Sequence, residues 1–208
     1  MVTDRIRLSA DDRRSRILEA GRHMFARKGF HGTGTAELAA RAGCSEPTLY
    51  KYFPSKQAVF AAVLDDATRC ITARVAELMR GAEDPLEVPL LAIAQEAATD
   101  ELIVEVVRLR MLAVSLVDDD EIRAALARSA QTMRTGMVTR LAASRAHGRV
   151  RDDIDLETAA WLWLGMTLAG GFAYALDPEE AKELVPRMAD VFVTMLRPLE
   201  ESQELQEI

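Results

Sequence analysis

Thr48, Tyr50, Lys51 and Tyr52 crowd two kinds of recognition chemistry into one short stretch of a 208-residue chain. A threonine hydroxyl and methyl at the start of a helix can reach base edges in a major groove, and tyrosine and lysine side chains behind it can hold phosphates. Chemistry of other kinds is sparse. The chain has no Gly-rich phosphate loop and no HExxH or CxxC spacing, and its three histidines, His23, His31 and His147, are scattered, so it offers no catalytic constellation and no cofactor site. Asp118, Asp119, Asp120 and Glu121 could suggest a metal, but no His or Cys nearby completes a ligand set, and acids belong at the N-terminus of the helix that follows.

Residues 33–56, TGTAELAARAGCSEPTLYKYFPSK, carry the punctuation that would position such a surface. A helix over 35–42 places Leu38, Ala39 and Ala42 on its inner face, and Gly43 breaks it. Ser45 can accept from the free N–H groups of a second helix, and Pro47 falls in the first turn, where its missing donor does no harm. Leu49 and Phe53, four apart, face inward. That leaves Thr48, Lys51 and Tyr52 outward beside Tyr50, with Pro54 ending the helix. This is a candidate helix-turn-helix, although a Gly turn between two helices also occurs in helical proteins with no nucleic-acid partner.

The segment AGCSEPTLYKYFPSK resembles the recognition segment of TetR-type transcriptional regulators in its AG turn, LYxYF core and SK helix start. Upstream, ILEAGRHMFARKGF (17–30) is similar to that family's first helix, so the resemblance covers roughly the first quarter of the chain; the rest is similar only in layout. The resemblance implies that Thr35, Ser45, Glu46, Pro47, Thr48, Tyr50, Lys51, Tyr52 and Lys56 lie at the DNA. The family usually has paired Thr or Ser residues before its second helix. Here Gly34 follows Thr33, and Thr35 is expected to take over that phosphate contact.

Charge agrees with a small DNA-binding head on a larger body. The chain as a whole is at −7, which argues against a general nucleic-acid binder. Residues 1–56, however, hold 11 Lys+Arg against 6 Asp+Glu, while the remainder holds 15 against 27. Hydrophobic residues make up 49%, enough for a sizeable core, and the Ala, Leu, Arg and Glu bias with only 7 prolines favours helix nearly throughout. Cys44 and Cys70 suggest no disulfide framework, and nothing at the N-terminus resembles a signal peptide, so a reducing cytoplasm is expected.

In chain order, residues 1–10, with Arg5 and Arg7, read as a polar arm able to brush phosphates. Asp11 or Asp12 can cap a first helix to Lys28 whose stripe is Ile17, Leu18, Gly21 and Phe25, with Gly29 ending it. Ser55 caps a long helix to about Met79, and Lys56 in its first turn opposes the helix dipole unless a phosphate is near. After a break at 81–85, helices are expected over 86–98, 102–117 and 121–147. Arg108 can pair with Glu105 on a surface; burial of Arg108 or Arg110 as a ligand anchor is the alternative, opposed by the rarity of unpartnered buried arginine.

Residues 159–176 carry no charge at all. The run approaches a membrane span, but its glycines, Thr167 and Tyr174, and the lack of a second span, favour burial in protein, one face on its own domain and another on a second subunit. Gly165 and Ala169 would allow close approach there or within one subunit. The last helix presents a stripe of Leu184, Met188, Val191, Phe192, Met195 and Leu199, with Pro186 kinking it.

The expected architecture is therefore all-α: a three-helix helix-turn-helix DNA-binding domain over 1–54 and a helical effector-binding and dimerisation domain over 55–208. The expected partners are double-stranded operator DNA, a second copy of the chain and a small hydrophobic effector lined by Met111, Ser115, Met133, Met137, Trp163 and Met166, with no membrane, no metal, no cofactor and no enzymatic activity. Residue by residue, ordinary core is the better reading of those six. A ligand-independent regulator or architectural DNA binder is the competing function.

Overall fold

Ser9 begins the first helix with a capping box: its hydroxyl accepts from the Asp12 N–H at 3.0 Å, and the Asp12 carboxylate accepts from the Ser9 N–H at 3.3 Å. The expected cap at Asp11 or Asp12 thus moves to Ser9, with Asp12 as its reciprocal partner. The computed structural model describes residues 9–78, 80 and 100–198. Among these the chain is all helix: α1 Ala10–Gly32, α2 Thr35–Arg41, α3 Glu46–Tyr52, α4 Lys56–Leu78, α5 Glu101–Val114, α6 Asp120–Ala146, α7 Leu156–Leu176 and α8 Pro178–Leu196. Residues 1–8 of the arm expected over 1–10, the break at 81–85, the helix at 86–98 and the stripe residue Leu199 lie outside the described residues.

Several helix boundaries have a local chemical cause. Gly29, at φ 73°, interrupts α1, and the Thr33 hydroxyl donates to the Gly29 carbonyl at 2.8 Å. Ser55 Oγ accepts from the Ala58 N–H at 2.9 Å to start α4. Asp119 accepts from the N–H groups of Glu121 and Ile122 at 3.0 and 3.1 Å, so the acidic run is a helix cap. Gly148 at φ 71° lies just beyond the end of α6, Asp155 caps α7, and Asp177 caps α8 ahead of Pro178.

Packing divides the chain into two compact units, one of residues up to Ile71 with Glu101–Ala130, the other of Thr72–Asp100 with the chain from Gln131 onward. In the first, Phe25, Phe30 and Phe60 form a triangle with ring centroids 5.1 to 5.9 Å apart that joins α1 to α4. Ile17, Leu38, Leu49, Val59, Val63 and Leu64 complete that core without exposure. At Gly21 α1 and α4 approach closely: a Cβ there would stand 2.7 Å from Val63 Cγ2.

In the second unit α7 packs on α8. Ala160, Trp163 and Leu164 of α7 and Ala189, Phe192, Val193 and Leu196 of α8 are buried, and a Cβ on Gly170 would lie 3.3 Å from Val185. The opposite face of both helices is bare. Leu162, Phe172 and Leu176 of α7 are 57, 56 and 70% exposed, and Val191 and Met195 of α8 are 58 and 60% exposed. Gly165 lies on that face, and a Cβ there would meet nothing within 4 Å. Phe192 does not share the face with its neighbour Val191; it points into the unit's own core.

Gly21→Ala tests the α1–α4 approach. An exposed helical Gly→Ala change gains about 1 kcal/mol from propensity. Here the β-branched Val63 cannot swing aside, and the overpacking cost of about 1–3 kcal/mol should reverse the sign. The urea midpoint is expected to fall, and a rise would refute the close approach.

Candidate nucleic-acid interface

Seven residues are too few for a helix to be stable alone, so α3 is held by what surrounds it. Beneath it, Leu49 and Phe53 are buried and the Arg14 guanidinium lies 5.0 Å from the Phe53 ring centroid. At its start Ser45 caps: Oγ accepts from the Thr48 N–H at 3.3 Å and lies 2.8 Å from Thr48 Oγ1. The turn from α2 runs through Gly43 at φ 71°, a left-handed conformation costly for other residues, with the Cys44 N–H donating to the Ala39 carbonyl at 2.9 Å. Burial pushes the Cys44 thiol pKa up, with Arg13 opposing the shift, which suits a packing residue.

A hydroxyl relay then fixes α2 against α3. Tyr50 donates to Thr35 Oγ1 at 3.3 Å, and Thr35 donates to the Glu46 carboxylate at 2.5 Å. Thr35, Glu46 and Tyr50 therefore have internal partners, as does the half-buried Thr48 through Ser45, whereas Pro47 and Lys51 are exposed and Tyr52 is half-buried. Thr33, fully buried and bonded to Gly29, presents no hydroxyl to solvent. Lys56 is half-buried with Nζ 4.6 Å from the Phe30 ring centroid, and burial lowers its pKa. The residues from Thr35 to Lys56 are thus brought onto two short helices and the start of a third within one compact unit.

Sequence reasoning missed the cluster that ties α1 to α5. Glu105 is buried, with one carboxylate oxygen against His23 Nδ1 and the other 3.3 Å from Arg22, while Arg27 pairs with Glu101 at 2.8 Å. The expected surface pair of Glu105 with Arg108 does not form: Glu105 turns to α1 and Arg108 is exposed. The available signal was the i, i+4 spacing of His23 with Arg27 and of Glu101 with Glu105, but nothing local says that these two faces meet. Donor atoms of His23, Glu101 and Glu105 lie within 4.8 Å of one another, yet Arg22 and Arg27 already neutralise both carboxylates, and their charge opposes a dication.

The six residues expected to line an effector site divide between the units. Met111 is half-buried on α5 and Ser115 is exposed, its hydroxyl donating to the Leu112 carbonyl at 2.7 Å, so Ser115 turns back onto its own helix end. In the other unit Met137 and Trp163 are buried, with Arg140 5.8 Å from the Trp163 ring centroid, and Met133 and Met166 are half-buried.

The sequence model for bacterial regulatory proteins of the tetR family matches residues 17–63, which span the buried face of α1, the turn, α3 and the first part of α4. Residues 17–63 are thus similar to the DNA-binding region of tetR-family regulators. Over 78 residues it is 37% identical to the transcriptional activator FasR of Mycolicibacterium smegmatis, covering 38% of this chain and 36% of that protein. It is 27% identical to the regulator UidR of Escherichia coli over 170 residues, 80% of this chain and 83% of that one. The matched stretch spans between about a quarter and two fifths of the length of the first curated relatives. A transcriptional regulator from Saccharomonospora viridis, solved in complex with choline, has the same fold at a TM-score of 0.76 and 17% identity, covering 89% of this chain and 98% of that one. The matched residues include α2 and α3, the two helices of the helix-turn-helix.

The α1–α5 cluster predicts an asymmetry. Glu105→Gln leaves Arg22 and His23, both partly exposed, able to turn to water, and should cost about 1 kcal/mol. The double change Arg22→Ala, His23→Ala strands a buried carboxylate and should cost about 3 kcal/mol or more. Equal losses in thermal melts would show that the buried carboxylate does not depend on these partners.

Proposed function

We propose that the chain is a sequence-specific DNA-binding transcriptional regulator, a homodimer on a palindromic operator, which a small effector releases in the manner of a repressor. The observation that carries this reading is the outward surface of α3, where Pro47, Thr48, Lys51 and Tyr52 stand over the buried Leu49 and Phe53. Thr48 reads a base edge, Lys51 and Tyr52 hold backbone, and Ser45, Glu46, Thr35 and Tyr50 set the angle and offer further polar contacts. Lys56 at the start of α4 meets a phosphate, which offsets the cost of a cation at a helix N-terminus. On this reading residues 1–54 form the DNA-binding domain, 55–208 the effector and dimerisation domain, and the site of action is the cytoplasm.

The dimer rests on the bare face of α7 and α8. Leu162, Gly165, Ala169, Phe172 and Leu176 alternate spacings of three and four, as do Leu184, Met188, Val191 and Met195, the seams of helices that pack at shallow angles. Such a patch is unusual on a soluble monomer, and two copies about a two-fold axis would cover it in a four-helix interface. The helix α7 is long and apolar enough by length and composition to cross a membrane, but its buried face already packs on α8. Effector binding would act by altering the spacing of the two α3 helices, which successive major grooves hold at about 34–36 Å. A ligand-independent DNA binder would make the same contacts without that control.

Thr48→Ala should relax sequence preference, and Lys51→Ala should lower the slope of log affinity against log salt by about one unit without changing preference. Both are measured by gel shift on a duplex that the wild-type chain retains; wild-type behaviour in both would remove α3 as the reading helix. Phe172→Glu should give a monomer by light scattering and weaken palindrome binding at least about tenfold, whereas a stable dimer would place the interface elsewhere. Phe192 is unsuited to that test because it supports its own core.

A further inference from the structure

Arg110 is the group that the reading above leaves without a task. It lies on α5 in a stripe with Ile103, Val106 and Ala113, all buried, and is itself only 2% exposed. A guanidinium offers five N–H donors in a fixed fork. Among the described residues none accepts a hydrogen bond from Arg110 or forms an ion pair with it, and its Nε has no partner. The contrast with Glu105, five residues earlier, is direct: that buried charge is met by His23 and Arg22. Glu105 is thereby committed to α1. Burial lowers the Arg110 pKa to about 10, so the group is still a cation at neutral pH.

An unpaired buried cation among aliphatic side chains destabilises the fold that contains it, and buried charges are as a rule paired. We propose that Arg110 is the anchor for the acidic head group, a carboxylate, sulfonate or phosphate, of an effector whose remaining body is apolar. This rests on the reading of the chain as an effector-controlled regulator and gives that effector a charge. The guanidinium fork supplies two parallel donors to such a head group, and the aliphatic stripe around it favours a hydrocarbon or aromatic body. The same charge excludes a cationic effector such as the choline bound to the Saccharomonospora viridis regulator.

The test uses the full chain and two matched fluorescent probes, the sulfonate 1-anilinonaphthalene-8-sulfonate and its uncharged counterpart N-phenyl-1-naphthylamine. The wild-type chain should bind the sulfonate at least about tenfold more tightly than the neutral probe. Arg110→Met, of similar shape and without charge, should abolish that preference while leaving the neutral probe within about twofold, and Arg110→Lys should keep a preference. In the absence of probe Arg110→Met should melt above wild type, because it removes an unpaired buried charge. A lower melting temperature or failure to fold would make Arg110 a structural residue, and no sulfonate preference in wild type, or the same preference in Arg110→Met, would overturn the site. Retention of duplex DNA is measured on the same three proteins: intact DNA binding with no sulfonate preference rejects the anion site alone, and no DNA binding by wild type rejects the regulator reading.

Discussion

Burial of Leu49 and Phe53 beneath α3 is the contact on which the outward surface of that helix depends. A helix of two turns has too few internal hydrogen bonds to offset the entropy of fixing it, so its orientation is set by the two side chains beneath it and by its cap. With Leu49 and Phe53 held against the core of α1 and α4, the 3.6-residue period leaves Thr48, Lys51 and Tyr52 outward. The Tyr50–Thr35–Glu46 relay then fixes α2 to α3, so the pair behaves as one recognition element. Gly21 has the same purpose one layer deeper: only a residue without a side chain lets α1 lie close enough to α4 for the phenylalanine triangle to close.

The second unit is organised by surface that its own chain leaves uncovered. α7 is apolar around its circumference, yet α8 covers one side. What remains is a seam with a small residue, Gly165, at its middle, where a second helix can approach closely. On the proposed dimer, two-fold symmetry would belong to the protein before DNA is involved, and a palindromic site would repeat that symmetry in the nucleic acid. In the first unit Arg110 is a buried cation with no partner among the described residues.

How much was legible in the sequence follows from how local each cause is. The helix-turn-helix could be read because Gly43, Ser45, Pro47 and Pro54 punctuate it within a dozen residues, and the acidic run before α6 could be read as a cap for the same reason. The cap stands two or three residues before the expected one because Ser9, Asp11 and Asp12 are all good cappers, and only the backbone decides among them. The link from His23 to Glu105 joins residues 82 positions apart, and no pattern within either helix announces the pairing. Val191 and Phe192 are both apolar on one stripe, and hydrophobicity does not say which partner covers which. Arg108 and Arg110 stand two residues apart on one helix, one exposed and one buried, a difference fixed by the rotation of α5. Ser115 could not be separated from a pocket lining without knowing that α5 stops at Val114.

The central claim, that two copies of this chain read DNA through paired α3 helices, is tested most directly by selecting bound sequences from a library of random duplexes with the full chain. The account predicts that the retained duplexes share an inverted repeat whose half-sites are centred about one helical turn apart. Recovery of no shared sequence, or of a single unrepeated motif bound by one copy of the chain, would contradict it.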